Sequence, residues 1–543
     1  MRALGGTVLV LAAFAVWTGA AAAEQRPLPA LAPAADDALG DALAEGDLTE
    51  AQYALERARS LFRLGVVRRE FGNVERADGR DATLLLRDLA VRLRELSGAE
   101  RRQGERLLAR PGDGDVQVGN GWHPAAVRAG PECGVDDKVC VHWVTTSADA
   151  PTDPSYPARV QDTFEHVWDH EVEALGYREP LPDYGKGGDD RLDVYLDDLG
   201  GPKIGIFGYC APDTDVLLNF PRRFTVPVYC VVDNDFSATQ YGAPPGDPPD
   251  PDGFLKVTAA HEFFHAVQGA YDFFEDGWLM EGTATNVEET VYEEIDDNVL
   301  FLRRFSPLTR PASPLDRWGF GDAEYGSWIF WRFLEEKVYG NDPSVIRRIW
   351  QRAAWAFGPD EYSLQAVARV LRNDGRALPD EFARFGFVNR LRAYADGSLY
   401  PATPTHRSFR MGSAKRSTGW QARRLNHLTT QYISFRPRRS GVSRRALLRV
   451  NVQVSRHGGR ASLIVYRTNG TGVVRRIRLD ARGFGARRVF FGRRSVRRVD
   501  LVLSNGSSRM RDCFSDDSPP FYSCAGIPKD DRRIYRFRSI LRR

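Results

Sequence analysis

His261 and His265 stand four apart in the stretch HEFFH, and Glu262 directly follows the first of them. On a helix, positions i and i+4 face the same way, so both imidazoles can reach one metal ion. Glu262 would lie beside that ion, where a carboxylate can take a proton from bound water. Histidine fills only 9 of 543 positions, so chance rarely produces this spacing. With about 100° between successive residues, Val257, Ala260, Phe263, Phe264 and Val267 make one apolar stripe, and both histidines fall at its border. A catalytic zinc needs a third protein ligand and one open position. Glu281, separated from His265 by fifteen residues, lies in GWLMEGTATNVEE, which restarts a helix after Gly277. A turn between two such helices would bring Glu281 back over the histidine pair.

HEFFH followed by WLMEGTAT resembles the gluzincin metallopeptidases, whose aminopeptidase-N branch carries H-E-x-x-H and then W-L-N-E-G-F-A. The wider block, through VVDNDF and YGSWIFWRFL, is similar to a family of secreted bacterial metalloproteases. The signature itself covers 21 residues, and the looser likeness spans much of 115–400. The resemblance implies a zinc cofactor held by His261, His265 and Glu281, with Glu262 as general base and later acid. It also implies that Tyr325, in EYGSWIFW, supports the oxyanion. The activity so implied is endopeptidase hydrolysis of protein or peptide substrates by a metal-held water, on a zincin-like α+β domain. Two departures matter. The spacer to Glu281 is shorter than in the aminopeptidase branch, so Glu288 stays open as an alternative ligand. The G-x-M-E-N motif that binds a free amino terminus is missing, which argues against exopeptidase action.

Other candidates are weaker. His166 and His170 in HVWDH project from the side opposite Val160, Phe164, Val167, Trp168 and Val172, and a solvated surface is expected. DDRLDVYLDD holds five aspartates but lacks an EF-hand spacing, so it reads as a solvated turn around a strand rather than a calcium site. No G-x-S-x-G occurs, which leaves serine-nucleophile chemistry without a candidate.

The elements around the site follow from composition. Residues 1–23 read as a secretory signal: Arg2, an apolar core, and Ala21-Ala22-Ala23 before Glu24. No later stretch reaches a membrane-spanning length, so no transmembrane anchor is expected. Six cysteines in close pairs, Cys133 with Cys140, Cys210 with Cys230 and Cys513 with Cys524, suit an exported chain, and nearest-neighbour pairing is the simplest connectivity. A secreted, extracellular bacterial protein is the expectation. Residues 24–112 read as a small helical domain, which could serve as a removable propeptide; with no cysteine between 24 and 132, any inhibition by it must be steric. After a Gly-rich linker, residues 113–400 place strands before helices, an α+β order. Residues 405–543 alternate with period two, which predicts an antiparallel β-sandwich. Charge is divided sharply: from 401 onward 34 Lys+Arg face 7 Asp+Glu, against 41 and 65 before. So large an excess suits anionic cell-surface polymer, or docking against the acidic remainder. No motif for specific nucleic-acid recognition is present.

Overall fold

The structure, a computed structural model, describes residues 37–77, 79–113, 121–200, 205–214, 224–319, 322–355, 361–438, 441–515 and 521–542, with Leu28, Ala30, Leu31 and Pro33. The apolar leader 1–23 and residues 114–120 of the Gly-rich linker lie outside these. Among the described residues no helix is long and apolar enough to cross a membrane.

The architecture is mixed α+β with a β-rich C-terminal region. A five-stranded sheet runs in the order Arg128–Glu132, Val139–Val144, Leu192–Asp197, Val228–Asp233, Gly208–Pro212. The three inner strands are parallel and the two outer ones antiparallel to their neighbours. One face of the sheet carries Gly208 and Cys210 and meets the Gly253–Gly269 helix. The other carries Tyr195, Tyr209 and Tyr229, which meet Arg110, Phe62 and Leu108 of the N-terminal segment. Parallel strands covered on both sides are buried along their whole length. That corrects one expectation: in DDRLDVYLDD, Asp189, Asp190 and Asp198 are exposed, but Asp193 and Asp197 are buried. His166 is exposed as expected, and His170 is half-buried in a π-turn over Asp169–Ala174.

The N-terminal helices Ala38–Glu45, Glu50–Phe71, Ala82–Arg92 and Gly98–Leu107 are fixed by local signals such as the Thr49–Gln52 capping box. Their apolar residues, including Leu55, Leu61, Leu86 and Leu89, share one continuous core with Phe263 and Trp278. The segment expected as a domain of its own is therefore built onto the central sheet. Its last anchor is Arg110. The buried guanidinium donates to Asp183 at 2.7 Å and Asp213 at 2.9 Å and also pairs with Asp193. A cation stays charged inside a protein only when carboxylates meet it in this way.

The C-terminal region is two sheets around one apolar core. A five-stranded sheet includes Gly459–Arg467, Val496–Asn505 and Thr429–Pro437; a four-stranded sheet runs Phe484–Phe490, Leu447–Gln453, Arg533–Arg542, Gln421–Leu425. The predicted alternation holds, since Leu448, Val450 and Val452 point inward with Tyr535 and Phe537. The five-stranded sheet docks on the Leu378–Leu391 helix through Tyr432, Ile464 and Val502. All three nearest-neighbour disulfides are formed: Cys133–Cys140, Cys210–Cys230 and Cys513–Cys524.

Candidate metal centre

The helix Gly253–Gly269 is buried on nearly every side, more deeply than a border position suggests. It lies against the edge strand Gly208–Pro212 so closely that a Cβ on Gly208 would sit 2.8 Å from Thr258 Cγ2 and 2.9 Å from Glu262 Cγ. Only glycine permits that approach. A seven-residue turn then leads into the Gly277–Val291 helix, which packs back over the first. Cys524, from the third disulfide, donates its backbone N–H to Asp276 Oδ2 at 3.1 Å, so the C-terminal region steadies the start of that second helix.

This pairing brings His261, His265 and Glu281 together, with one potential ligand atom from each lying within 4.8 Å of the others. His261 Nε2 is 3.1 Å from Glu281 Oε2, and His265 Nε2 is 3.6 Å from Glu281 Oε1. The far nitrogens are held from behind: His261 Nδ1 lies 2.6 Å from Glu288 Oε1, and His265 Nδ1 lies 2.8 Å from Gln268 Oε1. Glu288 thus stands on the opposite side of the His261 ring from Glu281, where it supports the ring and does not share its Nε2 face. Metal-binding histidines are commonly oriented by such partners. Glu281 Oε1 is buried without a hydrogen-bond partner, a costly state for a carboxylate oxygen that a cation would relieve. Two imidazoles and one carboxylate are a donor set that zinc accepts, and the residues present fit it.

Electrostatics agree with a cation-seeking site. Burial alone would raise the Glu281 carboxyl, but His265 and His261 outweigh it and hold it at about 2. Burial works against charge on His261 too, yet Glu281 and Glu288 hold that imidazole well above its ordinary value. Burial pushes Glu262 up, with His265 and His261 pulling it back.

Glu281 is fully buried, whereas His261 and Glu262 reach a cavity of about 400 Å³. Tyr325 lies on the same wall, its ring stacked 6.1 Å from that of His261. Its hydroxyl donates to Asp81 Oδ1 at 3.1 Å. Sequence reasoning missed the residues that arrive from far away in the chain. Thr83 Oγ1 lies 3.3 Å from Glu262 Oε2, and Arg80 lines the cavity. No local pattern marks such contacts. A second acidic group, Glu289, Glu293 and Asp396, already has a cation among it, since the Arg332 guanidinium pairs with all three.

No known family matches the chain, and no curated protein matches it at a significant level. Among solved structures, the pre-peptidase C-terminal domain of a collagenase from Bacillus anthracis is similar over 26% of this chain and 100% of its own, at 7% identity and a TM-score of 0.16. A likeness that slight carries no argument about fold or activity.

Proposed function

We propose that the chain is a secreted zinc-dependent endopeptidase of gluzincin type, on a zincin-like catalytic domain. The observation that carries this reading is the convergence of His261, His265 and the Glu281 carboxylate, whose Oε1 lacks a hydrogen-bond partner, with Glu262 beside them on the cavity wall. Bound zinc supplies Lewis acidity and a water acidified toward neutral pH. His261, His265 and Glu281 would hold the ion, with Glu288 and Gln268 fixing the two rings. Glu262 takes a proton from the attacking water at a carboxylate oxygen and returns it to the leaving amine. The Tyr325 hydroxyl, once released from Asp81, donates a hydrogen bond to the carbonyl oxygen as it gains charge. The test is Glu262→Gln in the purified protein. Zinc should stay at one per chain, while hydrolysis of casein or a peptide library falls by roughly 10²–10⁴-fold. Unchanged hydrolysis would remove Glu262 from the reaction. Unchanged metal content in both His261→Ala and His265→Ala would end the zinc reading.

A second part of the proposal concerns partners. None of the four strands of the smaller C-terminal sheet carries an acidic residue. By register, Arg424, Arg449, Arg488, Arg536, Arg538 and Arg542 share its outer face, which lies away from the docked five-stranded sheet. Among the described residues, the ion pairs that join the sandwich to the Leu378–Leu391 helix are Arg390–Asp500 and Arg460–Asp380, and neither draws on the arginines of that outer face. We propose that this face binds anionic polymer at the cell surface. Binding of the whole protein to purified teichoic acid should weaken steeply with salt and be lost in the triple variant Arg488→Glu/Arg536→Glu/Arg542→Glu. Binding that survives about 0.5 M salt would overturn it.

A further inference from the structure

The N-terminal helices reach the cavity beside His261 and Glu262, where Arg80 forms part of the wall. Gly79 lies so close to the chain entering the edge strand that a Cβ there would be 2.5 Å from Gly205 C and 2.6 Å from Ile206 N. The Arg80 guanidinium pairs with Asp322 at 2.7 Å and lies over the rings of Phe301 and Tyr325, both in the cavity wall. Asp81 stands at the N-terminus of the Ala82–Arg92 helix, but its carboxylate accepts from Tyr325 and does not cap that helix. Thr83 Oγ1 accepts the backbone N–H of Cys210 at 2.9 Å and faces the Glu262 carboxylate. Arg87, buried, donates to the Glu275 carbonyl at 3.0 Å in the turn between the two metal-site helices.

Three of these contacts fall on something a peptide substrate would need. Among the described residues, Gly208–Pro212 is the last strand of its sheet and pairs with Val228–Asp233 alone. The outward N–H of such an edge is where an extended peptide adds itself as a further strand. At Cys210 that N–H is spent on Thr83. The proton acceptor Glu262 is met by the same hydroxyl, and the oxyanion donor Tyr325 is held by Asp81. These three engagements come from residues within three positions of one another, at the tip of one helix.

We infer that Gly79–Arg87 is an inhibitory plug, so that the chain as it stands is latent and peptides enter only when this segment is displaced. The inference rests on reading the site as a peptidase, but the obstruction itself can be measured without hydrolysis. The experiment compares the full chain with Thr83→Val, which keeps shape and removes the hydroxyl, and with Asp81→Ala/Thr83→Val. Thr83→Ser, which keeps the hydroxyl, is the control. Amide hydrogen exchange in peptides covering 208–212 is read first, on metal-free protein. Binding of leucine hydroxamate to zinc-loaded protein is read second.

Exchange should be at least tenfold faster in Thr83→Val than in wild type or Thr83→Ser. The double variant should bind the hydroxamate at least tenfold more tightly at equal zinc content. Equal exchange and equal hydroxamate affinity in all four proteins would overturn the plug. If the protein takes up no zinc, the peptidase reading fails while exchange at 208–212 still decides whether Thr83 guards the strand. Should the double variant fail to fold, the isosteric Thr83→Val alone supplies both readouts.

Discussion

Glu281 and Glu288 lie seven apart on one helix, so both face the histidine pair and the sequence offers either as third ligand. What separates them is which ring nitrogen each meets, and that depends on the crossing of two helices. Glu281 meets both Nε2 atoms and Glu288 meets His261 Nδ1. The difference can be tested. Glu281→Gln should abolish tight zinc binding, whereas Glu288→Gln, which can still accept from Nδ1, should weaken it by only about 10–100-fold. Competition against a chromophoric chelator distinguishes the two; equal losses would erase the distinction, and a larger loss in Glu288→Gln would reverse the roles. His261, Glu262 and His265 were legible because one helix holds them at fixed spacing. Thr83 was not, because it reaches Glu262 across 179 positions of chain.

At the scale of elements, the helix pair bearing the site follows from periodicity and from the restart after Gly277. The strand beside it does not. Gly208–Pro212 is five residues long, contains a glycine and ends in proline, so neither propensity nor alternation marks it. The buried aspartates of Leu192–Asp197 were unreadable for a related reason: a parallel strand has no wet side to alternate with. Helices were found more readily than their irregularities, such as the π-turn at Phe333–Val338 after Trp328–Arg332. Gly208 carries the prediction here. Gly208→Val should cost ~1–3 kcal/mol, seen as a fall in Tm, because it drives the Glu262 helix off the strand. Hydrolysis should fall beyond what the lost folded fraction explains, since Glu262 Cγ is one of the atoms displaced. Full activity with only a lowered Tm would show that the helix can yield without disturbing the carboxylate.

Across the whole molecule, composition marked a helical beginning, an α+β middle and an alternating, basic end, but not how closely they join. His427, in the sandwich, is buried between Asp531 of its own region and Asp316 of the α+β body, at 2.6 and 2.8 Å. Burial acts to lower its pKa, yet the two carboxylates raise it from 6.5 to about 9. A group whose folded pKa is raised stabilises fully below its unfolded value and loses that contribution as pH climbs through the folded one. The window is therefore about pH 6.5 to 9, and the effect is on the order of 3 kcal/mol. Wild-type Tm should fall across that window by more than that of His427→Gln. Parallel curves would show that His427 is neutral in the folded protein.

Arg110 bears on what a proteolytic nick would accomplish. A cut just beyond residue 113 breaks the chain but leaves the guanidinium among Asp183, Asp193 and Asp213, and the tyrosine face of the sheet still covered. Removing one member of such a buried set costs ~3–5 kcal/mol, so the pieces have strong reason to stay together. Latency would then pass from covalent linkage to mass action, and protein concentration would set the active fraction. Nicked protein should run as a single species at micromolar concentration, with specific activity that rises on dilution. Arg110→Gln should move that rise to concentrations at least about a hundredfold higher, since ~3 kcal/mol is roughly two decades in Kd. Specific activity independent of dilution in both proteins would show that the two pieces do not exchange.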